Sequence, residues 1–141
     1  MYSSQPGQVF RLTAVFSMIF ALIGFSYNVW RMEVTEQNAT VRDAAFEILK
    51  EVAELELIVY AAHYDADSDT GNPRRGWVKV GLIEDLALLM PKPAQRSAAA
   101  LKQVWQQNWG IMGQDEQAAM AIVSALDRTR SEIRQALITL E

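Results

Sequence analysis

The hydrophobic residues of this chain follow two different patterns, and the first is a single apolar run. Residues 12–30 hold no charged side chain and are bracketed by Arg11 and Arg31. At a helical rise of about 1.5 Å per residue, this run covers roughly 28 Å, close to the thickness of the hydrocarbon core of a bilayer. We therefore predict a transmembrane helix over residues 12–30.

A cleaved signal peptide and a buried helix of a soluble protein are the alternatives to this anchor. Signal peptidase needs small residues after the apolar core, but Tyr27 and Trp30 occupy that stretch. Their amphipathic rings also suit the interface between lipid and water. The sequence therefore favours an uncleaved signal anchor.

The predicted orientation of the anchor depends on a small difference in charge. Arg11 precedes the run, whereas Arg31 and Arg42 follow it, so the positive-inside rule gives only a weak indication of which end lies in the cytosol. A short head is easily left in the cytosol, and we expect residues 1–11 to lie there. Residues 31–141 then form an exported domain on the periplasmic or extracytoplasmic side of the inner (cytoplasmic) membrane.

The second pattern is a heptad seam, in which apolar residues recur at steps of four and three. The seam after the anchor consists of Val41, Ala45, Ile48, Val52, Leu55, Val59 and Ala62. Apart from Gly24, which helices in lipid tolerate, nothing between Arg11 and Tyr64 breaks a helix. We therefore predict that the anchor continues into the exported domain as one helix, which ends in a loop over residues 65–71.

A second helix is predicted to begin at Asn72 and Pro73, since they read as an N-cap followed by proline at the first helical position. Residues 77–83 are also compatible with a short strand, because Gly76 and Gly81 weaken a helix there. The helical spacing of the apolar residues favours a helix.

The remaining residues predict two more helices. Pro91 and Pro93 end the second helix and open a third, with Gly110 at its C-terminal end. Residues 114–140 carry a further heptad seam. These four helices with short turns predict an all-α fold, in which a single N-terminal transmembrane helix continues into an antiparallel four-helix bundle.

Charges on the two long helices suggest how they pair. An acidic stripe on the first consists of Glu47, Glu51 and Glu54, and a basic stripe on the last consists of Arg128, Arg130 and Arg134. In antiparallel helices these stripes are expected to face each other. Exposed pairs of this kind contribute about 0 to 1 kcal/mol each, so they set register more than stability.

Composition narrows the range of partners and chemistry. The formal net charge is −4 and the pI is about 5.0, which argues against nucleic acid as a partner. The chain has no cysteine, so a metal-thiolate site is impossible. It also lacks a Gly-x-Ser-x-Gly elbow, a phosphate loop, a dinucleotide-binding glycine pattern and a His-Glu-x-x-His motif. We expect no enzymatic activity and no cofactor.

The loop after the first helix holds the one pattern that resembles a metal site. Asp65, Asp67 and Asp69 alternate, as do the carboxylates of calcium-binding loops. Glycine stands at the seventh position rather than the sixth, and Gly76 replaces the glutamate of the twelfth. A solvated turn is the favoured interpretation, with calcium as the alternative. His63 is expected to bind the terminal carbonyls of its helix rather than a metal.

The tryptophans suggest either a core or a binding surface. Trp77 and Trp105 are predicted to fill the core, because neighbouring alanines leave room for large rings. Trp109 stands near a helix end and is a candidate contact for a partner. Indoles beside amides and arginines also resemble the lining of a pocket for a small ligand.

The anchor itself carries a candidate binding face of small residues: Ala14, Ser17, Ala21 and Gly24. Small faces let helices approach closely in lipid, although small residues are common in membrane spans generally. We predict lateral association with another membrane protein or a second copy. The favoured function is an accessory or scaffold subunit, and the alternative is a ligand-sensing bundle that signals through a partner subunit.

Overall fold

The computed structural model describes residues 6–140, which form four α-helices and no strand. Helix α1 spans Pro6–His63, α2 spans Pro73–Ala87, α3 spans Lys92–Asn108 and α4 spans Glu116–Thr139. Internal packing divides the chain into an N-terminal unit, residues 1–38, and a bundle unit, residues 39–141. The all-α prediction and the four-helix bundle are confirmed.

The N-terminal unit is helical throughout its described residues. Its helix begins at Pro6, where a proline is tolerated because the first amide of a helix has no intrahelical acceptor. Residues 7–37 are all exposed. The predicted continuous first helix is confirmed, and it starts a few residues earlier than the apolar run.

The predicted seams of α1 and α4 supply much of the core of the bundle unit. Five positions of the α1 seam, Ala45, Ile48, Val52, Leu55 and Val59, are 0% exposed. Helix α4 buries the predicted residues Ala119, Ile122, Leu126, Thr129 and Ile133, while Leu137 and Leu140 at its end are partly exposed. Apolar spacing therefore identified the inward faces of both long helices.

Helix α2 begins where the sequence predicts. The side chain of Asn72 accepts a hydrogen bond from the amide of Arg74 at 3.0 Å, and Pro73 follows at the first helical position. The alternative of a strand over residues 77–83 is wrong. Gly76 lies within the helix, and a Cβ at that position would stand 2.2 Å from Cη2 of Trp105. The lack of a side chain at Gly76 therefore allows α2 and α3 to approach closely.

The predicted end of α3 at Gly110 needs a correction. The helix ends at Asn108, and no described glycine adopts a positive φ, so Gly110 is not a left-handed cap. Helix α4 begins at a cap that the sequence prediction missed. The side chain of Asp115 accepts hydrogen bonds from the amides of Gln117 and Ala118.

The prediction that the acidic and basic stripes face each other is wrong for two of the glutamates. Glu51 and Glu54 both pair with Lys79 of α2. Helix α1 pairs with α4 through a different carboxylate, because Arg130 binds Glu56. Lys79 of α2, rather than an arginine of α4, therefore pairs with both Glu51 and Glu54.

Candidate functional site

The N-terminal unit presents an apolar surface that no described residue covers. Its large apolar side chains between Val9 and Met32 are 47–77% exposed. The most apolar 18-residue window of α1 has a mean hydropathy of 1.9 and is 0% buried, so the helix is long and apolar enough to cross a membrane.

Two polar side chains within the apolar run form hydrogen bonds with the backbone of their own helix. Thr13 Oγ1 donates to the carbonyl oxygen of Val9 at 2.9 Å, and Asn28 Nδ2 donates to that of Gly24 at 3.0 Å. Bonds of this kind spare a hydroxyl or amide the cost of leaving water unpaired. Thr13 and Asn28 therefore carry less of this cost in an apolar environment.

The four small residues of the predicted binding face lie on one side of this helix. Ala14, Ser17, Ala21 and Gly24 recur at steps of three and four, which keeps them within about 80° of one another around the axis. All four are exposed, and a Cβ added at Gly24 would meet nothing within 4 Å. The surface is open to a neighbouring helix, and lateral association stays a prediction.

The three tryptophans of the bundle unit form one aromatic cluster. Trp105 is 0% exposed, and the ring of Trp77 lies 6.4 Å from it in an edge-to-face arrangement. Trp77 also contacts Trp109, at a ring distance of 6.3 Å. Trp105 is therefore core as predicted, whereas Trp77 is only partly buried and packs against the core.

Trp109 is 40% exposed and lines a cleft at one end of the bundle unit. The cleft measures about 360 Å³ and lies where the loop after α1 meets the loop after α3. Its wall includes Asp67, Gly71, Met112 and Gln114. The cleft therefore brings the indole of Trp109 together with polar side chains of both loops.

The carboxylate pattern of the loop serves the turn itself. Oδ1 of Asp67 accepts hydrogen bonds from the amides of Asp69 and Thr70, at 3.0 and 3.2 Å. The hydrogen bonds from Thr70 lower the pKa of Asp67. Within residues 6–140 no three side chains of histidine, cysteine, aspartate or glutamate, Asp65, Asp67 and Asp69 included, are placed to hold a metal. The solvated turn remains the favoured interpretation.

His63 joins the end of α1 to the loop before α4. Its Nδ1 lies 2.9 Å from the carbonyl oxygen of Met112, and the ring stands edge-on to Tyr64. The sequence predicted a bond to the carbonyls of its own helix, so the partner differs from the expectation. The bond closes the end of the bundle that carries the cleft.

The buried ionic cluster of α1 and α2 was not predicted, because the carboxylates were expected on exposed faces. Glu51 is 3% exposed, and its Oε2 lies 2.8 Å from Nζ of Lys79, which also pairs with Glu54. Glu51, and then Glu54, raise the pKa of Lys79 against the opposing effect of burial. The hydrogen bond from Lys79 lowers the pKa of Glu54. One signal was available, since Glu51 stands three residues after Ile48 and four before Leu55.

Comparisons with known proteins add no guide to these surfaces. No family model, curated protein or solved structure gave a significant match. The exposed apolar helix, the end cleft and the faces of the bundle are therefore the features from which a function is inferred.

Proposed function

We propose that this chain is a membrane-anchored accessory or scaffold subunit, without enzymatic activity, that binds other proteins of the membrane or envelope. Residues 12–30 cross the bilayer once and residues 1–11 stay in the cytosol. Residues 31–141 form the exported bundle domain. Its partners are the lipid bilayer and another membrane protein or a second copy, and it binds no nucleic acid.

The observation that supports this proposal is the exposure of the apolar helix. Burying a large apolar side chain is worth about 1.5–3 kcal/mol, so more than a dozen such side chains between Val9 and Met32 amount to roughly 20 kcal/mol or more. That exceeds the whole stability of a typical domain, about 5–15 kcal/mol. The surface therefore needs an apolar environment, and a bilayer of matching thickness supplies one.

A scaffold role requires only surfaces, and the bundle unit has them. The carboxylates of Glu51 and Glu54 both pair with Lys79, and that of Asp67 accepts hydrogen bonds from its own turn. These groups are engaged in holding the fold, as expected of a protein that works by contact.

The anchor and its orientation are tested together by extraction and labelling. The chain has no cysteine, so Ser4→Cys and Gln107→Cys each introduce one unique label. Gln107 is exposed on α3. We expect the protein to stay with membranes washed in alkaline carbonate. An impermeant maleimide should label Gln107→Cys in intact cells and Ser4→Cys only after lysis.

Release of the protein by carbonate would overturn the anchor. Labelling of Ser4→Cys in intact cells, with Gln107→Cys protected, would reverse the orientation. Affinity purification from native membranes in mild detergent, with mass spectrometry, then tests the scaffold role. We expect a stoichiometric membrane protein or a second copy to accompany the chain, and recovery of a lone monomer would contradict that role.

The end cleft favours the second candidate, a ligand-sensing bundle that signals through a partner subunit. An indole that is 40% exposed beside a cleft of about 360 Å³ suits a small amphipathic ligand. A thermal-shift screen of metabolites tests this candidate. A ligand that stabilises the wild type and fails to stabilise Trp109→Ala would support it, and the absence of any such ligand would count against it.

A further inference from the structure

Helix α1 of the bundle unit, together with Tyr64 directly after its end, carries a second heptad face on the side opposite its buried seam. Six residues recur at steps of four and three and are all exposed, and we name them the outer stripe: Phe46, Lys50, Ala53, Leu57, Tyr60 and Tyr64. Three of the large side chains, Phe46, Leu57 and Tyr64, are 56–59% exposed. An exposed apolar patch of a few hundred Å² is often an interaction site.

Contacts among the described residues leave the stripe open. The rings of Tyr60 and Tyr64 lie 5.8 Å apart, and the hydroxyl of Tyr60 lies 3.1 Å from Oε1 of Glu56 on the same helix. These are contacts along α1 rather than with another helix. The heptad period is the spacing at which two helices pack side by side with interlocking side chains.

We propose that the outer stripes of two copies of this chain pack against each other in parallel, as a two-stranded coiled coil. This inference rests on the proposed function, because copies anchored in one membrane present α1 in the same direction. Across a two-fold axis each stripe residue meets its own counterpart, so Leu57 meets Leu57 and Tyr64 meets Tyr64. An apolar stripe is self-complementary in this arrangement.

Charges beside the stripe fit the parallel arrangement. In a parallel pair the residue that flanks the stripe on one side lies near the residue five positions later on the other copy. That rule places Arg42 beside Glu47 of the second copy, which is an attractive pair. It also places Leu49 beside Glu54 and Glu56 beside Ala61 of the second copy, so no two carboxylates meet at these flanking positions. The series reaches a like-charged pair at Asp43, three residues before Phe46, so the paired stripe begins at Phe46.

Lys50 is the one charged residue within the stripe, and its charge is offset by its own helix. Nζ of Lys50 lies 3.2 Å from Oε1 of Glu47, and the same cation contributes to lowering the pKa of Glu54. A single lysine at such a position in a coiled coil fixes register at some cost in stability. Lys50 therefore favours one alignment of the two stripes.

The area of the stripe suits a pair that a membrane holds together. Four large side chains exposing roughly 100 Å² each, with the stems of the others, give about 450 Å² per copy and about 900 Å² in all. Stable interfaces in solution bury about 1,200–2,000 Å², so this one is weak between free molecules. Two copies confined to one bilayer meet at a much higher effective concentration, which compensates for the small area.

Disulfide cross-linking of the full chain in its membrane tests the proposal. Ala53→Cys places one thiol on the stripe, and Val78→Cys, at a 69% exposed residue of α2, is the matched control. Mild oxidation should convert Ala53→Cys into a dimer of twice 15.8 kDa and leave Val78→Cys monomeric. Leu57→Asp should abolish the Ala53→Cys dimer, whereas Val78→Asp should leave it unchanged.

Equal cross-linking at the two cysteines would overturn the proposal, as would a product of Ala53→Cys with a different protein only. Carbonate washing of the same membranes distinguishes failure of the proposed dimer from failure of the proposed membrane anchor. Protein that resists extraction but forms no dimer at Ala53→Cys refutes the stripe and leaves the anchor intact. Protein that is extracted, yet still cross-links at Ala53→Cys, supports the stripe and refutes the anchor.

Discussion

The same substitution at two glycines of α2 should change stability in opposite directions. At Gly76 an added Cβ would stand 2.2 Å from Cη2 and 2.3 Å from Cζ2 of Trp105, whereas at Gly81 it would meet nothing within 4 Å. Both glycines lie in the interior of one helix, five residues apart. Gly76→Ala and Gly81→Ala therefore share the gain in helix propensity and differ in packing alone.

The magnitudes follow from that difference. Replacing a helical glycine with alanine is worth about 0.5–1 kcal/mol, so Gly81→Ala should raise the free energy of unfolding by that amount. At Gly76 the indole of Trp105 must move by more than 1 Å, and it is fully buried, so the overpacking cost lies near the upper end of about 1–3 kcal/mol. We expect Gly76→Ala to be less stable than the wild type by about 2 kcal/mol.

Thermal unfolding of the full chain in mild detergent, followed by far-ultraviolet ellipticity, measures both effects. For a unit of this size the shifts correspond to roughly −10 °C for Gly76→Ala and roughly +5 °C for Gly81→Ala. Trp105→Phe removes the ring atoms nearest Gly76, so Gly76→Ala should cost much less in that background. Equal stability of the two alanine variants, or an undiminished cost beside Trp105→Phe, would refute the close-approach explanation.

Three further predictions concern the loop, the buried cluster and the anchor. Asp67→Ala should lower the melting temperature because two amides lose their acceptor, whereas Asp69→Ala should leave it unchanged. A rise in the melting temperature of the wild type on adding calcium would contradict the turn interpretation. Lys79→Met should destabilise the fold by about 3 kcal/mol at pH 7, because Glu51 stays buried without its cation. Because the pKa of Glu54 is lowered, its pairing stabilises the fold above pH 4.5, and this stability is lost as the pH falls. Because the pKa of Lys79 is raised, its pairing stabilises the fold below pH 10.5, and this stability is lost as the pH rises. Lys79→Met should therefore flatten both limbs of a plot of melting temperature against pH. The double substitution of Ala21 and Gly24 by leucine should reduce energy transfer between labelled copies in vesicles, whereas Phe20→Leu should leave it unchanged. Unchanged energy transfer in the double variant would refute packing through the small face.

Apolar spacing predicted the fold because it records which side of a helix is buried. The α1 seam from Ala45 to Val59 is fully buried, and the cap formed by Asn72 and Pro73 begins α2 where the sequence places it. These signals are local, since each depends on residues within one or two turns. Trp105 was identified as core from a local signal too, because the alanines near it leave room for a large ring.

Features that depend on distant residues were missed or misread. Gly76 was taken as a weakness of the helix, yet it makes room for an indole twenty-nine positions later in α3. Leu89 follows the apolar spacing of α2 but is 50% exposed, because α2 ends at Ala87 and the helical period stops with it. The partners of Glu51 and Glu54 were misassigned because the sequence does not reveal that Lys79 comes closer than the arginines of α4.

Helix α1 has two faces with the same period, and the more apolar of the two is the one that the spacing of apolar residues identified as buried. The inner seam is built of alanine, valine, isoleucine and leucine, which bury no polar atom, whereas the outer stripe includes Lys50 and two tyrosine hydroxyls. Rotating α1 about its axis so that the outer stripe faced inward would bury Lys50 and expose Glu51. It would separate Glu51 from Lys79 and leave a buried cation unpaired, which costs stability. The buried ion pair of Glu51 with Lys79 thus acts on orientation more than on stability. It favours the orientation in which the apolar seam faces inward and the outer stripe stays exposed.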